Sequence, residues 1–269
     1  MSSSIRLSRE VRLGIHGAEA PPSANTASNG FAGNPLMAGL VPFACVTVTV
    51  SGEVDAATGM LVNIKVIDAV VRDAAVPHLR QAAAKKPLSL ASIARELFDL
   101  LADRLQGHIV EAVALAVSPY LKVQVQREEL PMIRLSQRFE FSAAHRLHCS
   151  ALSEAENWQV FGRCNNPNGH GHNYELEVTV SGLPDATSGT VMPIADLQKI
   201  VNERIIDVFD HKHLNLDCPE FRDPGGVNPT VENIARVLYT RLKGGFPQGV
   251  KLAAVKLWET PKTLCEYSE

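Results

Sequence analysis

The stretch VTVSGLPDATSGTVMPIADL, residues 178–197, recurs without a gap as VTVSGEVDAATGMLVNIKVI, residues 48–67. Self-similarity on this scale means that one folding unit is used twice. The flanks agree: IRLSREVRL at 5–13 answers IRLSQRFEF at 133–141, and SLASIAR at 89–95 answers TVENIAR at 230–236. The boundary is expected near 128–131, where EELP interrupts two strand-like runs and proline removes a ladder donor. That gives domains 1–130 and 131–269.

Each copy reads as strand, loop, strand, helix, helix, strand, strand. In the second copy, strands are expected at 139–145 and 173–182. Ile194, Leu197, Val201, Ile205 and Val208 recur at helical spacing, which predicts a helix over 193–209 with Pro193 in its first turn. Thr230 suits the N-cap of a second helix carrying Ile234, Val237, Leu238 and Leu242, stopped by Gly244 and Gly245. A hairpin over 249–259 and 263–267 closes the unit. In the first copy the expected elements are a strand at 46–50, helices at 64–76 and 89–105, and strands at 110–117 and 121–126. The fold class is therefore α+β, two units that each set two helices on one face of a four-stranded antiparallel sheet. Residues 20–35, APPSANTASNGFAGNP, read as a loop. A sheet with uncovered edges is expected to assemble.

Composition narrows the function classes. With 26 basic against 29 acidic residues and no dense Lys/Arg block, no nucleic-acid partner is expected. No apolar run approaches the ~18 residues of a membrane span, and residues 1–14 lack the apolar core of a secretory signal, so the expectation is no membrane and a cytoplasmic location. Five cysteines at scattered positions read as reduced thiols. No strand-GxGxxG-helix unit or P-loop is present, so no nicotinamide or flavin is expected.

The chemistry lies just upstream of the second repeat block, in GRCNNPNGHGHNY, residues 162–174. On an extended segment His170 and His172 stand at i and i+2 and share a face. RFEFSAAHRL at 138–147 alternates Phe139, Phe141, Ala143 and His145 to one side, so a neighbouring strand can deliver a third imidazole. Three histidines suit zinc with a fourth position left for water or substrate, the pattern of catalytic rather than structural sites. Taken singly, each reads as a surface or satisfied core residue. Six of the nine histidines nevertheless fall between 145 and 213.

FSAAHRLH, FGRCNNPNGHGHNY, DATSG, DHKHLNLD, PTVEN and WETPK together make the second half resemble the 6-pyruvoyltetrahydropterin synthase family, which includes the 6-carboxytetrahydropterin synthases. The resemblance implies the tunnelling fold (T-fold), with subunit sheets joined into a barrel and active sites between subunits. It implies one zinc on His145, His170 and His172, Cys164 as catalytic base, Asp210 with His211 as a relay beside it, and Glu259 holding the pterin with Thr230 nearby. The implied substrate is 7,8-dihydroneopterin triphosphate. The product is 6-pyruvoyltetrahydropterin with loss of triphosphate, or the 6-carboxy product in the alternative; a non-catalytic pterin or zinc scaffold is a reading from another class.

Other readings of the same residues stand beside these. Cys164 also suits a fourth zinc ligand in a closed site, or a small buried apolar group. Asp210 and His211 end a helix, where the macrodipole favours a histidine without any catalysis. Glu259 also suits a solvated turn. His148, Cys149 and His213 carry no assigned role, and Cys45, Cys218 and Cys265 read as packing residues. In the first copy the places of His145, His170, His172 and Glu259 are taken by Gly17, Leu40, Pro42 and Pro119. His16 is one residue out of register, and His78 and His108 read as incidental. That copy is expected to be structural, so that three chains reproduce a six-unit homo-oligomer.

Overall fold

A computed structural model describes residues 5–15, 40–84 and 89–269. The expected loop at 20–35 and the positions of His16 and Gly17 lie outside the described residues. The chain forms two compact units, Met1–Leu135 with Gly182–Val191, and Ser136–Ser181 with Met192–Glu269. No helix among the described residues is long and apolar enough to cross a membrane.

The first unit contains β1 (Ile5–Gly14), β2 (Phe43–Gly52), α1 (Ile64–Ala84), α2 (Leu90–Arg104), β3 (Ile109–Ser118) and β4 (Leu121–Gln126), with antiparallel strand order β1-β2-β3-β4. Val46, Val48 and Val50 of β2 alternate inward and are fully buried, as a half-buried pleated strand requires. Against that face α1 sets Ile67, Val71, Ala74, Ala75 and Leu79, and α2 sets Ala94, Leu97, Phe98 and Leu101. The sequence reading ends the first helix at residue 76. The structure carries it through Pro77 to Ala84: Leu79 continues the buried stripe, and packing outweighs the lost hydrogen bond. A 3-10 turn, Arg127–Glu129, stands where the boundary is expected.

The second unit is built on β5 (Ile133–His145), α3 (Glu154–Phe161), a 3-10 turn (Gly162–Asn165), β6 (His170–Gly182), α4 (Ile194–Val201), α5 (Asp207–Phe209), β7 (Lys212–His213), α6 (Leu214–Asp217), α7 (Val231–Leu242), β8 (Val250–Thr260) and β9 (Thr263–Tyr267). Strand order is β5-β6-β8-β9, and β7 lies parallel to the end of β5. The helix expected over 193–209 is present but interrupted: Asn202–Ile206 form a π turn between α4 and α5, a single-turn bulge of the kind found at functional sites. Phe141 stacks on Tyr174 at 5.0 Å and meets Phe209 at 6.4 Å, which fixes the core directly below the ends of β5 and β6.

The repeated block builds the same turn twice. Asp55 Oδ1 accepts from the amides of Ala57 and Thr58, and Asp185 Oδ1 from those of Thr187 and Ser188. Gly59 and Gly189 close the two turns at φ 69° and 65°, a conformation that only glycine adopts without strain.

Candidate active site

Cross-strand contacts fix the register of β5 on β6. Ser136 Oγ meets Thr179 Oγ1 at 2.8 Å, Arg138 Nε reaches Glu177 at 3.4 Å, and Ser142 Oγ donates to Asn173 Oδ1 at 2.7 Å. Continued to the strand ends, this antiparallel register sets His145 opposite His170, and their Nε2 atoms are 3.1 Å apart. His172, two residues along β6, faces the same side, with ring centroids 4.8 Å from His170 and 5.2 Å from His145. One nitrogen from each ring lies within 4.8 Å of the others.

His145 is fully buried. Its Nδ1 donates to the Pro229 carbonyl at 2.7 Å, and since a carbonyl only accepts, Nε2 carries the lone pair. A ligating histidine is commonly held this way by its outer nitrogen. Burial, with the neighbouring imidazoles adding to it against the Pro229 bond, pushes the His145 imidazole down to about 4. Burial and then His172 lower that of His170. Neutral imidazole is the form that binds metal, so the donor set and its orientation fit zinc.

The loop that delivers these groups is braced by amides. Arg146 and Asn215 exchange two hydrogen bonds, 2.7 and 3.0 Å, and His148 Nδ1 meets Asn165 Oδ1 at 2.9 Å. Buried Asn157 accepts from the Cys149 amide and donates to the carbonyls of Cys149, Leu152 and Ser153. Asn157 lies on α3, which Ser153 opens with a capping box to Glu156. That S-x-x-E signature is legible in the sequence and marks a helix that the strand-loop-strand reading omits. Gly169, at φ 71°, has no room for a side chain: a Cβ would fall 2.6 Å from His213 Nε2 and 2.9 Å from the His145 carbonyl.

Cys164 lies within the 3-10 turn, its carbonyl holding the Leu147 amide at 2.8 Å. Its sulfur is not part of the three-histidine group. Burial and then Glu259 raise the thiol above its ordinary value. Glu259, on β8, brings Oε1 to 3.5 Å from His145 Nε2 and 3.8 Å from His172 Nε2. Tyr174, which the sequence reading leaves without a role, is fully buried beneath the cluster, and its hydroxyl has no hydrogen-bond partner. Burial, then Glu259 and Cys164, push the phenol above the ordinary tyrosine range, which disfavours its ionisation.

Asp210 and His211 stand elsewhere. Asp210 Oδ1 accepts from the Ser142 amide at 2.8 Å and Oδ2 bonds His211 Nδ1 at 2.7 Å, which lowers the Asp210 carboxyl. The His211 side chain is 82 % exposed. It lines a cleft of about 590 Å³ with His172, Asn173 and Lys212, but no contact joins the pair to Cys164 among the described residues. Thr230 caps α7, accepting from the Asn233 amide at 3.4 Å. Its neighbour Pro229 makes the contact with the cluster.

The match to known proteins falls on this half. The model of the family described as 6-pyruvoyl tetrahydropterin synthase covers residues 134–269, half of the chain. The chain belongs to that family. It is a lyase of the 6-pyruvoyl tetrahydropterin synthase family, and similar to 6-pyruvoyl tetrahydrobiopterin synthase of Homo sapiens at 46% identity over 134 residues, 50% of this chain and 90% of that protein. A 6-carboxy-5,6,7,8-tetrahydropterin synthase of Haemophilus influenzae is 31% identical over 157 residues, 51% of this chain and 100% of that protein. The solved structure of Caenorhabditis elegans 6-pyruvoyl tetrahydropterin synthase is 40% identical with a TM-score of 0.48, covering 52% of this chain and 96% of that one.

Proposed function

We propose that the chain is a zinc-dependent lyase that converts 7,8-dihydroneopterin triphosphate to 6-pyruvoyltetrahydropterin with elimination of triphosphate. The observation that carries this reading is the convergence of His145, His170 and His172, with Cys164 and Glu259 close by and an open cleft at His172. Held by the three imidazoles, zinc would supply a Lewis acid that makes the carbon-bound protons of the substrate side chain easier to remove.

The chain's own groups supply the rest. Glu259 clamps the guanidine-like edge of the pterin through charge-assisted hydrogen bonds. Its negative charge helps to hold Cys164 protonated in the free chain, so engaging that charge with the ring edge favours the thiolate and turns Cys164 into a base when substrate is in place. Protons leave the hydroxylated side-chain carbons and return to the ring, so the pterin is reduced at the expense of its own side chain. Asp210 holds His211 by Nδ1 and leaves Nε2 to move a proton. The exposure of this pair, away from Cys164, suits a homo-oligomer in which His211 serves the Cys164 of a neighbouring chain, consistent with an assembly of three two-repeat chains. The first unit then has a structural role.

The 6-carboxy product is the second reading, supported by the Haemophilus influenzae relative. The pyruvoyl reading leads because the five-residue gap between Cys164 and His170 and the NNPNGHGHNY stretch resemble the pyruvoyl members more, and because the human relative is more similar than the Haemophilus influenzae one. Incubation of zinc-loaded protein with 7,8-dihydroneopterin triphosphate tests both. Triphosphate release with the pyruvoyl mass, absent in Cys164→Ala, is expected; acetaldehyde with the carboxy mass selects the second reading, and no turnover refutes both.

A further inference from the structure

The two Asp turns are built alike but meet different surroundings. Residues 182–191 belong to the second repeat in sequence and to the first compact unit in space. There the turn at 185–190 sits on the start of α2: Ser89, the N-cap residue, donates from Oγ to the Gly189 carbonyl. The fit is close, because a Cβ on Gly189 would fall 2.6 Å from Ser89 Oγ and 2.8 Å from Ser92 Oγ. Thr187 and Ser188 line a small cleft together with Ser92.

The twin turn at 55–60 has no such seat. It makes the same pair of amide bonds to its aspartate and turns on a glycine at nearly the same φ. A Cβ on Gly59 would nevertheless have nothing within 4 Å among the described residues, and residues 53–60 are all exposed. Val54 and Met60 at its two ends, and Ile64 and Val66 just beyond, are large apolar side chains left in water. Four such residues within thirteen positions mark a surface for burial against a partner. The matching seat is open too. In the alignment of SLASIAR with TVENIAR, Ser89 and Ser92 answer to Thr230 and Asn233. Thr230 caps α7 as Ser89 caps α2, but its own hydroxyl proton finds no acceptor among the described residues.

We propose that the turn at 55–60 of one chain docks on the start of α7 in a second copy of this chain, with the Gly59 carbonyl accepting from Thr230 as the Gly189 carbonyl accepts from Ser89. The seated turn supplies the pattern, and the unseated turn and the open cap are the pieces that repeat it. The contact is heterologous: each chain offers a turn on one surface and a cap on another, so copies join head to tail until a ring closes. It lies one residue from Pro229, whose carbonyl holds His145, so assembly braces the segment that orients the cluster. The contact itself does not depend on a metal.

Cysteine pairs in the full-length chain test this. Ala57→Cys and Thr58→Cys each put a thiol on the turn, and Asn233→Cys puts one on the seat. Each turn variant is mixed with Asn233→Cys and oxidised with diamide. A disulfide needs the two Cα atoms within about 7 Å. The expected result is a linked two-chain species in the mixture, absent from each variant alone, with peptide mapping joining residue 57 or 58 to residue 233. Hydrogen exchange on the wild type needs no substitution: amides at 55–60 and 231–234 should exchange more slowly in assembled protein than in chains dissociated by dilution. No link to residue 233 from either turn position, exchange at 55–60 unchanged by assembly, or a wild type that stays a single chain at every concentration overturns the proposal. So does a link formed within one chain when both cysteines are placed in it.

Discussion

The Nε2 atoms of His145 and His170 face each other at 3.1 Å across the ends of β5 and β6. Because His145 spends its proton on the Pro229 carbonyl, its Nε2 is bare. Such a nitrogen needs a proton from His170 or a cation between them. The register of one strand pair therefore creates an electron-rich gap.

Removing one side of that gap should empty it. His170→Ala is expected to lower zinc affinity more than about 100-fold, beyond the effect of losing a supporting partner. Competition with a chromophoric chelator measures this. Zinc retained at wild-type affinity would remove His170 from the ligand set.

Gly169 and Gly171 flank His170 but differ in what they tolerate. Gly169→Ala introduces a Cβ against the His145 carbonyl at a positive φ, whereas at Gly171 the nearest atom, the Ala143 carbonyl oxygen, would be 3.8 Å away. Gly169→Ala is expected to destabilise by about 1–3 kcal/mol and to weaken metal binding. Gly171→Ala should do little to packing. Urea denaturation of both variants checks the contrast, and equal effects would contradict it.

The Tyr174 ring and hydroxyl act in opposite directions on stability. The hydroxyl is buried without a partner, so Tyr174→Phe removes an unsatisfied group and should leave the substrate-free chain as stable or more so. Tyr174→Ala deletes a ring stacked on Phe141 and should cost about 3–5 kcal/mol. A Tm for Tyr174→Phe well below that of the wild type would mean that the hydroxyl is bonded in solution.

Much of this site is legible before any coordinates. Alternation in FSAAH and HGH places three imidazoles on one face because side-chain direction in a strand follows residue number alone. The repeat gives the strand and helix order for the same reason that the two Asp turns make the same pair of amide bonds. What sequence does not carry is where backbone irregularities send side chains. His211 sits at φ 57°, which throws it outward, away from Cys164. A break in the β8–β9 ladder turns Glu259 toward the histidines. The group orienting His145 is the main-chain carbonyl of Pro229, which no side-chain pattern announces. α3 was legible from Ser153 and Glu156 but stood in what reads as a loop.

The charge of Glu259 should be readable at Cys164. Burial and then Glu259 raise the thiol above its ordinary 9.0. Removing the carboxylate lowers it, so at pH 8 the thiolate fraction rises. In metal-free protein, Glu259→Gln should therefore be alkylated at Cys164 by iodoacetamide faster than the wild type, with the alkaline limb of the rate profile moved to lower pH. Peptide mass mapping with time assigns the site. A slower or unchanged rate would mean that the two groups do not sense one another.

X-ray absorption at the zinc edge of the full-length protein tests the central claim most directly. Three imidazoles with a nitrogen or oxygen neighbour predict a shell of light atoms alone, at about 2.0–2.1 Å, with the outer scattering of imidazole rings. A sulfur shell near about 2.3 Å would put Cys164 on the metal, and the site described here would be a closed structural one.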